Sequence, residues 1–240
     1  MTITIDTFIE DFKNSGIIDW IGNYLDIIFV WVTGSRSVNL NNADSDYDVG
    51  ILVADHMEAP RAPGCLMCGK YLKDPEKHVH LLINTLKEPC SIPVKDPYGF
   101  YYDIGWVQFG LFDKSSTVFV NPKYQEIVDE LITNKSLIAK KAAHAFLNRF
   151  DPVLEVLATN KIPEGVHQKF IAYAILCHSL LYDEAIVHDQ LYRVKQTPFD
   201  QLTTEERSEI ARKAAALRQL IKTENPPELC FKSFEPWWEN

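Results

Sequence analysis

The spacing of hydrophobic residues changes character along the chain. From Ile5 to Tyr24 the apolar positions Phe8, Ile9, Phe12, Ile17, Ile18 and Ile21 recur at helical intervals, and Asn14-Ser15-Gly16 interrupts them, which predicts two short helices. Ile27 to Val32 is then an unbroken β-branched and aromatic run that stops at Thr33-Gly34-Ser35, the pattern of a buried strand closed by a glycine turn. A short helix is expected over Ser35 to Leu40, a polar loop over Asn41 to Ser45, and a second, alternating strand over Asp46 to Ala54.

Residues 55–77 are rich in Pro, Gly, Cys and charge and read as an inserted loop, after which Lys77 to Asn84 predicts a third strand. Pro89 to Pro97 reads as a further loop. Phe100 to Phe112 is aromatic and fits strand or helix. From about Tyr124 onward the helical period dominates, with breaks expected at Asp151-Pro152, Ile162-Pro163 and Thr197-Pro198. The pattern as a whole predicts an α+β fold, with a small sheet-bearing domain over residues 1–122 and a helical domain over 123–240.

Composition narrows the classes of partner. With 240 residues and 46% hydrophobic content the chain can bury substantial cores. Its formal net charge of −9 offers no basic surplus to attract a polyanion, so small substrates are expected rather than duplex DNA. No apolar run approaches the roughly 20 residues that span a bilayer, and Asp6, Glu10 and Asp11 give the N-terminus no positive leader region, so no membrane partner is expected. Five scattered cysteines, an odd count, do not form a secreted disulfide framework, which points to a reducing cytoplasm.

The candidate chemistry gathers around the two strands. Alternation along a strand sends Asp46 and Asp48 to one face and Tyr47 and Val49 to the other, with Cα atoms about 6–7 Å apart for the two acids. Two carboxylates so placed suit Mg²⁺, which usually takes one or two protein acids and completes its shell with water and substrate phosphates. Upstream, a strand ending in Gly34-Ser35 and turning into a helix presents backbone N–H groups, a hydroxyl and a positive dipole end to phosphate oxygens. Arg36 adds a guanidinium matched to phosphate, or equally to a neighbouring acid such as Asp44.

The stretch Gly34-Ser35-Arg36-Ser37-Val38-Asn39-Leu40-Asn41-Asn42-Ala43-Asp44-Ser45-Asp46-Tyr47-Asp48-Val49 resembles the active-site segment of the DNA polymerase beta superfamily of nucleotidyltransferases. It looks most like the predicted nucleotidyltransferases of bacteria and phages, and the helical tail carries a weaker likeness. The resemblance implies a small mixed-sheet nucleotidyltransferase domain followed by helices. It also implies a nucleoside triphosphate substrate, gripped through Gly34, Ser35 and Arg36, and two Mg²⁺ ions held by Asp46 and Asp48. The reaction implied is transfer of a nucleoside monophosphate to the hydroxyl of a small molecule, a protein or an RNA end. A non-catalytic nucleotide-binding or regulatory module on the same fold is the alternative.

The family's third carboxylate lies on a later strand, and the matching position in Val79-His80-Leu81-Leu82 holds His80. Asp103, in Tyr101-Tyr102-Asp103-Ile104, is the preferred substitute, with Glu88 behind it. A competing use of His80 comes from Cys65-Leu66-Met67-Cys68, which with His78 and His80 after nine intervening residues gives a candidate Cys₂His₂ zinc set. Phe170 to Tyr182 reads as a packed helix, Lys169, Arg193 and Lys195 as a solvated cationic face in preference to contacts with a phosphate or an RNA acceptor across the cleft, and Trp237-Trp238 as an aromatic pair that docks the tail.

Overall fold

A computed structural model describes residues 4–54, 66–71, 73–85 and 101–234. The chain is α+β, built on a five-stranded mixed sheet in the order β3-β4-β2-β1-β5. Thr4 caps α1 (Ile5–Asn14) by accepting from the Thr7 N–H, and Gly16, at φ 73°, makes the left-handed turn into α2 (Ile17–Gly22). β1 (Ile27–Thr33) is buried at every position, as its unbroken apolar run predicts, and pairs antiparallel with β2 (Tyr47–Val53) and with β5 (Thr117–Val120). β2 pairs parallel with β4 (Asp74–Thr85), setting Asp48 opposite His80.

Residues 55–77, expected as a loop, contain β3 (Leu66–Tyr71) and the first turns of the pairing of β4, which together form an antiparallel hairpin at the sheet edge. An edge strand needs only one pairing partner and tolerates polar residues, so its composition resembles that of a loop.

Strand alternation sorts the sheet into two faces. Tyr47, Val49, Ile51 and Val53 pack with Val79, Leu81 and Ile83 beneath Phe8, Ile9 and Phe12 of α1, where Phe8 stacks on Tyr47 at 4.2 Å between ring centroids. The opposite face, with Phe29, Trp31 and Leu52, is covered by α4 (Tyr101–Phe109) through Trp106 and Phe109. The aromatic segment that fits strand or helix is therefore a helix. Apart from Asp103 and Gln108 it is apolar, because it is covered by the sheet on one side and by the helical layer on the other.

The helical layer comprises α5 (Gln125–Thr133), α6 (Lys135–Ala158), α7 (Gln168–Leu181), α8 (His188–Gln196) and α9 (Thr204–Thr223). Its core takes in Ile104 and Val107 of α4 together with Val38 and Leu40, which follow the glycine turn. Residue 122 lies between β5 and α5, and Ile104 and Val107 of α4 together with Val38 and Leu40 before β2 share the core of the helices that follow it. The break expected at Asp151-Pro152 is absent, because α6 runs through Pro152. Arg218 of α9 clasps both sides of the proline, donating to Asp151 at 2.6 Å and to Glu155 at 2.8 Å. Among the described residues no helix is long and apolar enough to cross a membrane.

Candidate active site

The end of β1 and the start of β2 meet through one glycine. Gly34 has φ +74°, and a Cβ built there would stand 1.9 Å from Asp48 Oδ2, so both its backbone conformation and its contact exclude a side chain. Its N–H donates to Gln108 Oε1 at 3.0 Å, and the Thr33 hydroxyl donates to the same oxygen at 3.3 Å. Gln108, buried in α4, in turn donates to the Tyr173 hydroxyl on α7 at 3.2 Å. The turn is thus tied to both helices, and its Gly34 N–H is engaged by Gln108 rather than open to phosphate. The short helix α3 (Gly34–Ser37) begins at the turn and buries Ser35.

Arg36 serves the loop that leads to the acids. Its Nε donates to the Asp46 carbonyl at 3.0 Å, a second nitrogen donates to the Ser45 carbonyl, and the guanidinium lies 4.0 Å from the centroid of the Tyr47 ring. Asp44, the acid anticipated for it, instead lies 3.8 Å from Lys77. Arg36 fixes the backbone on both sides of Asp46.

Asp46 and Asp48 share a face, as strand alternation requires. Asp46 accepts the His78 backbone N–H at 2.9 Å, and Asp48 Oδ1 lies 3.1 Å from His80 Nδ1. An ionised carboxylate only accepts, so this contact places a proton on Nδ1; in the neutral ring Nε2 then keeps a lone pair, 3.9 Å from Asp46 Oδ2. The His80 pKa is raised, chiefly by its hydrogen bond to Asp48 and further by the charges of both acids, against burial and the Lys169 charge. The His78 ring lies parallel to that of His80, at 6.2 Å between centroids, with its Nδ1 3.9 Å from Asp46 Oδ1.

Asp46, Asp48 and His80, but not His78, belong to one wall of a cavity of about 240 Å³. Gly34, Ser35, Asp46, Asp48 and His80 line it from the sheet, and Gln108, Lys169, Tyr173 and Lys195 line it from the helices. Lys195 donates to the Leu40 carbonyl at 2.7 Å. Its pKa is held down, first by burial and then by the charge of Lys169, while Asp48 opposes the shift. Two acids and two ammonium groups border the same space, a distribution suited to a polyanion that reaches a carboxylate-bound cation at one end and lysines at the other. Asp46 and Asp48 each bring a carboxylate to the cavity wall. The ligand atoms of Asp46, His78 and His80 also lie within 4.8 Å of one another.

Other expected site residues fall elsewhere. Asp103 is not among the residues lining the cavity; its buried carboxylate pairs with Arg149 on α6. Glu88, Cys65, Trp237 and Trp238 lie outside the described residues, and Cys68 is placed by its backbone as the register partner of His80 on β3. Arg193 is exposed, as expected of a solvated face, and pairs there with the Glu206 carboxylate.

Lys169 and Lys195, expected on that same face, border the cavity instead. Lys169 carried a signal that went unused. It sits in the first turn of α7, where a cation opposes the helix dipole and gains nothing from the helix itself. Gln108 is likewise a polar residue in the otherwise apolar run Trp106 to Phe112. No protein-family model and no curated protein matches the chain.

Proposed function

We propose that this chain is a nucleotidyltransferase that moves a nucleoside monophosphate from a nucleoside triphosphate to the hydroxyl of an acceptor. The observation that carries the reading is the single cavity in which the Gly34 turn, Ser35, Asp46 and Asp48 stand across from Lys169 and Lys195. Asp46 and Asp48 would hold Mg²⁺, which when bound neutralises triphosphate charge and makes an acceptor hydroxyl more acidic. Lys169 and Lys195 hold the phosphate tail and offset the negative charge that builds up as pyrophosphate leaves. The Ser35 hydroxyl gives a phosphate oxygen a directional partner. Gly34, with no side chain, lets the Asp48 carboxylate sit against the turn, so that phosphate and acid are brought together by one stretch of backbone. In the transfer, the bond from acceptor oxygen to α-phosphorus forms as the α–β phosphoanhydride bond breaks.

A second reading, a nucleotide-binding module without turnover, draws on the histidine at position 80. His80 occupies the register position beside Asp48, where the resemblance leads one to expect a third carboxylate. The two readings separate when the purified protein is incubated with each α-labelled nucleoside triphosphate, Mg²⁺ and cell extract as acceptor source. Label transfer that disappears in Asp46→Ala and Asp48→Ala, with far-UV circular dichroism unchanged, is the expected result. The fold should survive because removing either acid relieves like-charge repulsion. Mg²⁺-dependent nucleotide binding without transfer would establish the binding module in its place.

A further inference from the structure

We infer that Asp46, His78 and His80 form a binding site for a first-row transition-metal dication, distinct in its donor chemistry from a site for Mg²⁺. The inference extends the proposed cavity but does not depend on transfer chemistry, since it concerns the protein without nucleotide. His78 and His80 are two apart on β4, so strand alternation sends both rings to the face that carries Asp46, and the rings lie 8° from parallel. The Asp46 carboxylate is placed between them, one oxygen 3.9 Å from His78 Nδ1 and the other 3.9 Å from His80 Nε2. All three ligand atoms lie within 4.8 Å of one another, so small side-chain rotations bring them to the roughly 2.0–2.2 Å metal–ligand distances of zinc bound to imidazole and carboxylate.

Asp48 completes the arrangement from outside the donor set. By accepting the Nδ1 proton of His80 it fixes the tautomer in which Nε2 is the free donor, the carboxylate–histidine pairing that orients metal-binding imidazoles. Two neutral nitrogens and one carboxylate make a borderline donor set. Imidazole suits Zn²⁺, Co²⁺ and related ions, whereas Mg²⁺ takes oxygen ligands, so affinity at this site should rise from Mn²⁺ through Co²⁺ and exceed that for Mg²⁺. Three protein ligands leave coordination positions for water or a phosphate oxygen from the cavity, as in catalytic rather than structural zinc sites.

The test is a titration of the full chain, free of nucleotide, with Co²⁺ followed by its visible d–d absorption. The expected result is saturable binding that excess Mg²⁺ leaves unchanged and Zn²⁺ displaces. His78→Gln should remove the d–d signal, and Asp48→Asn should weaken binding by about 10- to 100-fold, the usual effect of losing a partner that orients a ligand. Cys65→Ser/Cys68→Ser should bind as the parent does. Displacement of Co²⁺ by comparable Mg²⁺, or an unchanged spectrum in a folded His78→Gln protein, would overturn the site. Loss of binding in the double cysteine variant would overturn it too, in favour of the Cys₂His₂ set. None of these outcomes depends on label transfer, so failure of the metal site is distinguishable from failure of the transferase even though both use Asp46.

Discussion

A single missing side chain decides the geometry of the acid wall. At Gly34 a methyl group would stand 1.9 Å from Asp48 Oδ2 and 2.6 Å from its Cγ, and φ +74° already disfavours any L residue. Gly34→Ala must therefore either push the Asp48 side chain off its place or unwind the turn that Gln108 holds. We expect a loss of about 1–3 kcal/mol in unfolding free energy from the backbone conformation alone. Displacement of Asp48 should reduce the proposed nucleotidyl transfer further than that stability loss explains. Urea denaturation beside the labelled-nucleotide assay measures both, and a variant with parental stability and activity would show that the turn is not what positions Asp48. The placement of Gly34, Ser35, Asp46 and Asp48 around one cavity was legible in the sequence, because each sits at a strand end where alternation and turn chemistry fix its direction. Arg36 was not, since a guanidinium serves phosphate, carboxylate or backbone carbonyl equally well and only the fold selects among them. Lys195 was equally hidden: it comes to the cavity only because the chain after the turn, at Leu40, packs into the helical core and accepts its hydrogen bond.

Among elements, those with both a clear period and their own boundary residues were readable. The α1–α2 break at Gly16, the buried β1 and the alternating β2 follow from local pattern, whereas β3 exists through its pairing with β4 and α4 through being covered on two sides. The proline in α6 shows the same limit from the opposite direction. Pro152 has no N–H to donate within the helix, and its ring crowds the preceding turn, a penalty of about 3 kcal/mol in a helix interior. The helix nevertheless continues, because Phe150, Leu154 and Leu157 bury their side chains in the helical core and Arg218 holds Asp151 and Glu155 on either side. Tertiary packing overrides local propensity here. Pro152→Ala should restore one backbone hydrogen bond and relieve the crowding, at the expense of a more flexible unfolded chain worth about 0.4–1 kcal/mol. The expected outcome is a net gain in stability, seen as a higher melting temperature. A fall would mean that the packing of α6 against α9 requires the shape the proline imposes.

At the scale of the whole molecule the sheet and helical layers meet around the cavity, and the helical layer buries two histidines that no proposed chemistry uses. His144 on α6 and His178 on α7 are 4% and 2% exposed. Burial lowers the pKa of each. For His144 the charge of Glu224 opposes the shift; for His178 Glu184, 3.2 Å from Nδ1, opposes it, while Lys213 and Arg212 reinforce it. Above the ordinary histidine value near 6.5 neither the folded nor the unfolded chain protonates these rings, so they leave stability unchanged there. As pH falls below that value the unfolded chain takes up protons that the folded chain refuses, and stability declines until the depressed native values are reached. His80 has the opposite sign: its raised pKa gives stability that is fully present below the unfolded value and lost as pH rises through the folded one. The melting temperature should therefore fall between about pH 7 and about pH 5 more steeply in the parent than in His144→Gln/His178→Gln, while both proteins keep the contribution of His80. The difference between the two slopes isolates the buried pair. Equal slopes would show that the helical layer admits protons to these rings without resistance, and that the acid sensitivity of the protein arises in its carboxylate ion pairs.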